Sequence, residues 1–204
     1  MLLSDGSFLP VMEHFYTIQG EGMHSGSAAY FIRLAGCDVG CHWCDVKDSW
    51  DEKRYASIEV NDLAAVAKDS NSGIAVVTGG EPTMHPLQKL TRALKKAKMK
   101  THLETSGAYE ITGSFDWICV SPKKRKPPLK QSLENADELK VIIYNKDDFN
   151  WAEENASRIS KHCKLFLQPE WGRAKNVMPW ITDYIKLNPK WKVSLQIHKY
   201  MNIP

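Results

Sequence analysis

Apolar residues along the chain follow two alternating patterns. Short runs dense in aliphatic and β-branched residues occupy 29–36 (AYFIRLAG), 73–80 (GIAVVTGG), 100–107 (KTHLETSG), 116–123 (DWICVSPK), 138–144 (ELKVIIY), 163–169 (CKLFLQP) and 191–198 (WKVSLQIH). Runs of this length and composition predict strands buried on both faces. Between them, apolar residues recur every third or fourth position, which predicts helices over 60–69, 86–98, 147–161 and 174–187. In the first helix Leu63, Val66 and Ala67 share a face; in the second, Leu87, Leu90 and Leu94 do. Strands alternating with helices predict an α/β fold with a parallel sheet and right-handed crossovers. A closed eightfold barrel typically needs about 250 residues. With 204, the expectation is a shortened, partly open parallel (β/α) barrel forming a single domain over residues 1–204.

Unusual chemistry collects where the predicted strands end. The first strand runs into three cysteines, and later ones end in TGGEP, ETSG, SPK and LQP. In parallel α/β folds, ligands gather at the carboxyl ends of strands, so these five loops are expected to ring one pocket.

Composition narrows the setting. Hydrophobic residues make up 43% and charged residues 25% of the chain, as in an ordinary globular domain. A net charge of +3 is too small to imply a nucleic-acid partner. The start, MLLSDGSFLPVMEHF, lacks the basic and long apolar segments of a signal peptide. No run approaches the roughly 18 apolar residues of a membrane span. Five cysteines, three of them crowded together, argue against a disulfide framework. A cytoplasmic location with reduced thiols is expected.

The crowded thiols are Cys37, Cys41 and Cys44, spaced Cys-x3-Cys-x2-Cys. Thiolates this close suit one soft metal centre, zinc or an iron–sulfur cluster. Structural zinc takes four ligands, and His42, adjacent to Cys41, is badly placed to be the fourth. A 4Fe–4S cube held by three thiolates leaves one iron open for a small molecule. Cys119 and Cys163 sit in apolar strand-like runs and read as buried, inert thiols. His85, His102 and His198 lie near strand ends and read as structural. Lys124 to Lys130 read as a solvated basic loop.

The cysteine spacing with aromatic Trp43, followed by TGGEP, resembles the radical S-adenosylmethionine superfamily. FYTIQGEG (15–22), RLAGC (33–37), ETSG, SPK, LQP, HKY and the terminal proline resemble one family within it, 7-carboxy-7-deazaguanine synthase, over nearly the whole chain. The resemblance implies that Cys37, Cys41 and Cys44 hold a 4Fe–4S cluster whose open iron takes S-adenosylmethionine. It implies cofactor contacts at Trp43, Cys44, Asp45, Gly80, Ser121, Pro122, Lys123, Gln168, Pro169, Glu170 and Trp171. The implied substrate is 6-carboxy-5,6,7,8-tetrahydropterin, met by Ile18, Gln19, Gly20, Arg33, Thr78 and Pro204. A guanidinium suits its carboxylate, and an arginine inside an apolar strand is costly without such a partner.

The implied reaction is a radical ring contraction to 7-carboxy-7-deazaguanine with loss of ammonia, started by an electron from a donor such as flavodoxin, in a homodimer. Mg2+ is implied beside the substrate carboxylate. Here, however, Val46 stands where the family carries a hydroxyl, leaving Asp45, Asp48 or Ser49 as compensating oxygens. Two alternatives stay open: an activase acting on a partner protein's glycyl radical site, and a non-catalytic zinc-stabilised interaction module.

Overall fold

A computed structural model describes residues 5–204; the first four, part of the predicted domain, lie outside the described residues. The strands are β1 (Phe8–Ile18), β2 (Ala28–Leu34), β3 (Ser57–Glu59), β4 (Ile74–Gly79), β5 (Lys100–Thr105), β6 (Trp117–Val120), β7 (Glu138–Ile143), β8 (Lys164–Pro169) and β9 (Trp191–Val193). They form one sheet in the order β3-β1-β2-β4-β5-β6-β7-β8-β9. From β2 to β9 every pairing is parallel. The sheet does not close, because β3 and β9 are its two edges. The partly open barrel is therefore what forms.

The helices are α1 (Val60–Asp69), α2 (Gln88–Lys96), α3 (Lys130–Glu134), α4 (Asp147–Ala156), α5 (Ala174–Leu187) and α6 (Ile197–Met201). Helices α1 and α2 cover the first half of the sheet over a core that includes Ile32, Leu34, Val77, Leu90 and Leu94. Helices α3 to α5 cover the second half over Leu139, Val141, Ile143, Phe149 and Ile181.

Strand alternation sorts the side chains. On β2, Tyr30, Ile32 and Leu34 are buried in the core, whereas Phe31 and Arg33 line a cavity on the other face. On β7, Leu139, Val141 and Ile143 join the core while Lys140 and Ile142 line a cavity opposite. The strands are thus apolar toward the helices and polar toward the inner face, rather than apolar on both.

Several expectations are corrected. The sheet is not wholly parallel, since β1 pairs antiparallel with both β2 and β3. Pro10, Glu13 and His14 interrupt the apolar run of β1, and a register shift between Val11 and Glu13 absorbs the irregularity. Val66 is exposed, because the buried stripe of α1 follows Val60, Leu63, Ala64 and Ala67. The helices expected over 86–98 and 147–161 are trimmed to α2 and α4. The strand expected over 191–198 stops at Val193. Ser194 turns its hydroxyl to Gln168 Oε1 (2.6 Å) and Ile197 N–H donates to the Gly20 carbonyl (2.9 Å), so polar partners end the strand and α6 begins.

Leu139 is fully buried at the centre of the second core. Leu139→Ala is expected to lower unfolding free energy by about 2–5 kcal/mol. Urea denaturation checks this, and a loss below about 1 kcal/mol contradicts the packing described.

Candidate active site

Cys37, Cys41 and Cys44 are carried on the loop after β2 and are free thiols of intermediate exposure. They face a cavity of about 230 Å3 walled by the carboxyl-end loops of β4, β5, β6 and β8. All five predicted loops meet there. Trp43, Asp45, Gly80, Ser121, Lys123, Gln168, Pro169, Glu170 and Trp171 line it with the cysteines. Pro122 does not; it lines a smaller cavity behind the cysteine loop, and its carbonyl accepts from Trp151 Nε1 (3.4 Å). Gly80 is required by contact distance: a Cβ there would stand 2.5 Å from the Gly36 carbonyl oxygen and 2.7 Å from Cys37 Cβ. The β4 turn can lie against the cysteine loop only without a side chain.

Buried Glu81 fastens the neighbouring loops. Its carboxylate accepts from Thr83 N (3.1 Å), Thr83 Oγ1 (2.6 Å), Thr105 Oγ1 (2.5 Å) and Ser106 N (2.8 Å), and from the Ser106 hydroxyl. Lys123 donates to Ser121 O and Oγ (2.6 Å each) and lies over the Trp43 ring. Burial lowers the Lys123 pKa and raises the Cys37 and Cys41 thiols.

The basic segment is not simply solvated, which corrects the loop reading. Lys126 pairs with Asp38 (2.7 Å), Arg125 donates to the Gly40 carbonyl (3.1 Å) and Lys124 pairs with Asp148 (2.6 Å). Two of these partners belong to the cysteine loop, so the basic residues hold it down. Lys130, paired with Glu134 one helical turn away, fits the solvated description.

A second cavity of about 320 Å3 adjoins the first, and the two share the walls Glu21, Arg33, Asp45, Val46, Thr78, Glu104 and Gln196. Ile18, Gln19, Gly20, Arg33, Thr78 and Pro204 all line it. Phe15 and Phe31, opposite one another on β1 and β2, stack at 5.7 Å and 6° and give it a flat apolar wall. Arg33 Nε pairs with Glu13 across the same strands (2.6 Å), leaving the terminal guanidinium nitrogens for a second anion. Gly20 admits the carboxyl-terminal segment, because a Cβ there would fall 2.1 Å from His198 Nδ1. Thr17 Oγ1 donates to the Pro204 carbonyl (3.2 Å).

At the shared wall lies a group that motif reading did not single out. Lys140, 4% exposed, bridges Glu21 Oε2 (2.5 Å) and Glu104 Oε2 (2.9 Å). Gln196 donates to Glu21 Oε1 (2.8 Å) and Gln19 to Glu104 Oε1 (3.3 Å). Burial alone would raise the Glu21 carboxyl, but the Lys140 ammonium and the hydrogen bonds outweigh it and hold the pKa at about 2. Lys140 is held well above the usual lysine value despite burial, by the anions around it. Glu138 is pushed up, chiefly by burial, and accepts from Met23 N (3.0 Å) and Trp117 Nε1 (3.3 Å). The sequence signal was available: ELKVIIY places a lysine inside an apolar strand, as RLAGC does an arginine. Of the histidines, His85 bonds the Ala35 carbonyl (2.7 Å), His102 is buried against His24, and His198 reaches the second cavity. Cys119 and Cys163 are buried, as expected of inert thiols.

The surroundings of Val46 do not fit Mg2+. Val46 has no side-chain oxygen, and each expected substitute is engaged. Asp45 pairs with Lys199 (2.8 Å), Asp48 pairs with Arg54 (2.9 Å), and the Ser49 hydroxyl donates to the Val46 carbonyl (2.6 Å). Among the described residues no three His, Cys, Asp or Glu side chains converge on a single-ion site. Each carboxylate of the shared wall already meets an ammonium, Asp45 that of Lys199 and Glu21 and Glu104 that of Lys140.

The Radical SAM superfamily profile matches residues 31–111. A 7-carboxy-7-deazaguanine synthase of Flavobacterium psychrophilum is 54% identical over 98% of this chain and 94% of its own. One from a Synechocystis strain is 45% identical over 95% and 93%. The chain belongs to the 7-carboxy-7-deazaguanine synthase family. The fold agrees: the crystal structure of QueE from Escherichia coli superposes with a TM-score of 0.83 at 31% identity, covering 92% of this chain and 93% of that one. Family membership carries with it a 4Fe–4S cluster and S-adenosylmethionine. The donor set fits: three free cysteines, spaced Cys-x3-Cys-x2-Cys in the chain, face one cavity.

Glu21 sets a pH dependence. Its folded pKa of about 2 lies below the unfolded value near 4.5, so its stabilisation is complete above pH 4.5 and lost as pH falls toward 2. Glu21→Gln is expected to remove about 2–3 kcal/mol of the stability lost across that window. Urea unfolding of the apoprotein at pH 6 and pH 3 measures it, and parallel losses in parent and variant would contradict the ion pair.

Proposed function

We propose that this chain converts 6-carboxy-5,6,7,8-tetrahydropterin to 7-carboxy-7-deazaguanine with loss of ammonia, a carbon–nitrogen lyase reaction on the route to queuosine. The observation that carries this reading is the joining of two cavities, one faced by three cysteines and one faced by Arg33 and a stacked aromatic pair, through a shared polar wall. When bound, the cluster and S-adenosylmethionine supply a 5′-deoxyadenosyl radical. Cys37, Cys41 and Cys44 hold the cluster. Gly80, Ser121, Lys123, Gln168 and the Pro169–Glu170–Trp171 turn hold the cofactor, with Trp43 and Asp45 beside it. Gln19 and the Ile18 and Gly20 backbone meet the pterin, Phe15 and Phe31 cover its plane, Thr78 donates a hydroxyl, and Pro204 offers main-chain oxygen. Arg33 takes the carboxylate through paired N–H donors.

Lys199, rather than Mg2+, supplies the second positive charge beside that carboxylate. A low-potential donor such as flavodoxin delivers the electron, and the chain works as a cytoplasmic homodimer. No helix among the described residues is long and apolar enough to cross a membrane. Against the activase alternative, the second cavity is small and built for a flat anion. Against the zinc module, the thiols open onto a cavity of ligand size.

Anaerobic incubation of the reconstituted protein with reductant, S-adenosylmethionine and the carboxytetrahydropterin is expected to yield 7-carboxy-7-deazaguanine. Cofactor cleavage with no such product would overturn the reading of substrate. Turnover is expected to change less than twofold between metal-free and millimolar Mg2+ conditions. A tenfold or greater rise with Mg2+ would overturn the assignment of that charge to Lys199.

A further inference from the structure

The proposed reaction has a proton inventory that radical chemistry alone does not settle. Substrate and product differ by the elements of ammonia, so the conversion is redox-neutral. The tetrahydropterin carries three hydrogens on C6 and C7, and the product retains one on carbon. A hydrogen exchanged at C6 and then returned leaves this balance unchanged. Two carbon-bound hydrogens must therefore depart as protons, and with the N5 hydrogen they complete ammonia. Such transfers call for a positioned acid–base group.

One group meets that need on geometric grounds, and the assignment rests on the function proposed above. Glu104 is on the wall common to both cavities. Its Oε2 is fixed by Lys140 at 2.9 Å, its Oε1 takes a long 3.3 Å contact from Gln19, and the buried Cys119 thiol on the neighbouring strand also hydrogen-bonds the carboxylate. Glu21, the other carboxylate of the set, has each oxygen bonded at 2.8 Å or less and serves as counter-ion. Two carboxylates sharing one ammonium leave a surplus negative charge facing the cavity. That surplus suits a proton in transit or a departing ammonium.

We propose that Glu104 is the proton carrier of ring closure, with Lys140 as its positioning residue. In the closing elimination Glu104 takes a ring-carbon proton, and that C–H electron pair becomes the new ring double bond. The C–N bond to the departing nitrogen breaks with its pair on nitrogen, and Glu104 passes the proton there. The second carbon proton leaves by tautomerisation over the same carboxylate, so the atoms balance without an outside oxidant or reductant.

The test compares reconstituted parent, Glu104→Gln and Glu104→Asp proteins. Glu104→Gln keeps an acceptor for Lys140 but cannot carry the proton. It is expected to bind pterin-6-carboxylate, followed by pterin fluorescence, within about threefold of the parent. Product formation should fall by about 10²–10⁴-fold, while an isomer of the substrate, equal to it in mass and separated from it by chromatography, accumulates. Glu104→Asp, which retains a carboxylate, should recover at least tenfold of that loss, which a merely structural role would not predict. Glu104→Gln turnover within threefold of the parent overturns the proposal. So does loss of pterin binding with kcat preserved, since Glu104 would then be a recognition group. A parent that makes no product identifies the failure as one of the functional reading itself.

Discussion

Much of this structure hangs on one buried ammonium. Lys140 reaches the inner face from β7, and burying an unpaired cation there would cost several kcal/mol. Its two partners come from distant parts of the chain, Glu21 from the loop after β1 and Glu104 from β5. Gln196, from the segment after β9, closes on Glu21. The amino-terminal hairpin, the central strands and the carboxyl-terminal segment are therefore tied at one point. Gly20 makes the tie possible by admitting His198 against the loop. Removing the ammonium would leave two carboxylates uncompensated in a place where water is scarce, so the group holds the fold and shapes the cavity at once.

This explains why a half-polar sheet is stable. The helical face buries continuous aliphatic side chains on both halves of the sheet. The inner face pairs its polar groups instead: Glu138 with Trp117 and Met23, Gln168 with Ser194, and Glu81 with the β5 loop. Each of these carboxylates and amides gains partners that replace lost water. Stability is supplied by the outer layer, which leaves the inner layer free to be arranged for chemistry.

Legibility in the sequence divides along the same line. Strands β2 and β4 to β8 announced themselves because their buried residues form short apolar runs, and α1 and α5 were bounded correctly by spacing. The cysteine, TGGEP, ETSG, SPK and LQP loops were legible as one site because strand ends must converge in a parallel sheet. Strand β1 was hidden because Pro10, Glu13 and His14 break its alternation, although Glu13 is there to pair with Arg33. The end of β9 was hidden because SLQIH looks strand-like until Ser194 and Gln196 find long-range partners. Lys124 to Lys126 looked solvated for a related reason: their partners Asp38, Gly40 and Asp148 are close only in three dimensions. Local pattern reports what a residue buries, whereas its ionic partner is a property of topology.

The two cavities also show how paired charge can remain available to a ligand. Arg33 meets Glu13 through one nitrogen of a planar group that offers five donors, and Lys199 meets Asp45 through one of three. Each cation is held in place by its partner yet has donor capacity left over. Fixing a cation this way reduces the side-chain entropy that anion binding would otherwise cost. The same logic runs in reverse on the shared wall, where one ammonium holds two carboxylates and leaves them acceptor capacity. A molecule with an acidic substituent and N–H-rich rings then meets oriented donors and acceptors that need little rearrangement. Val46 fits within this scheme: it brings no oxygen to the cavity wall, and the Lys199 ammonium, fixed by Asp45, supplies positive charge on the same wall.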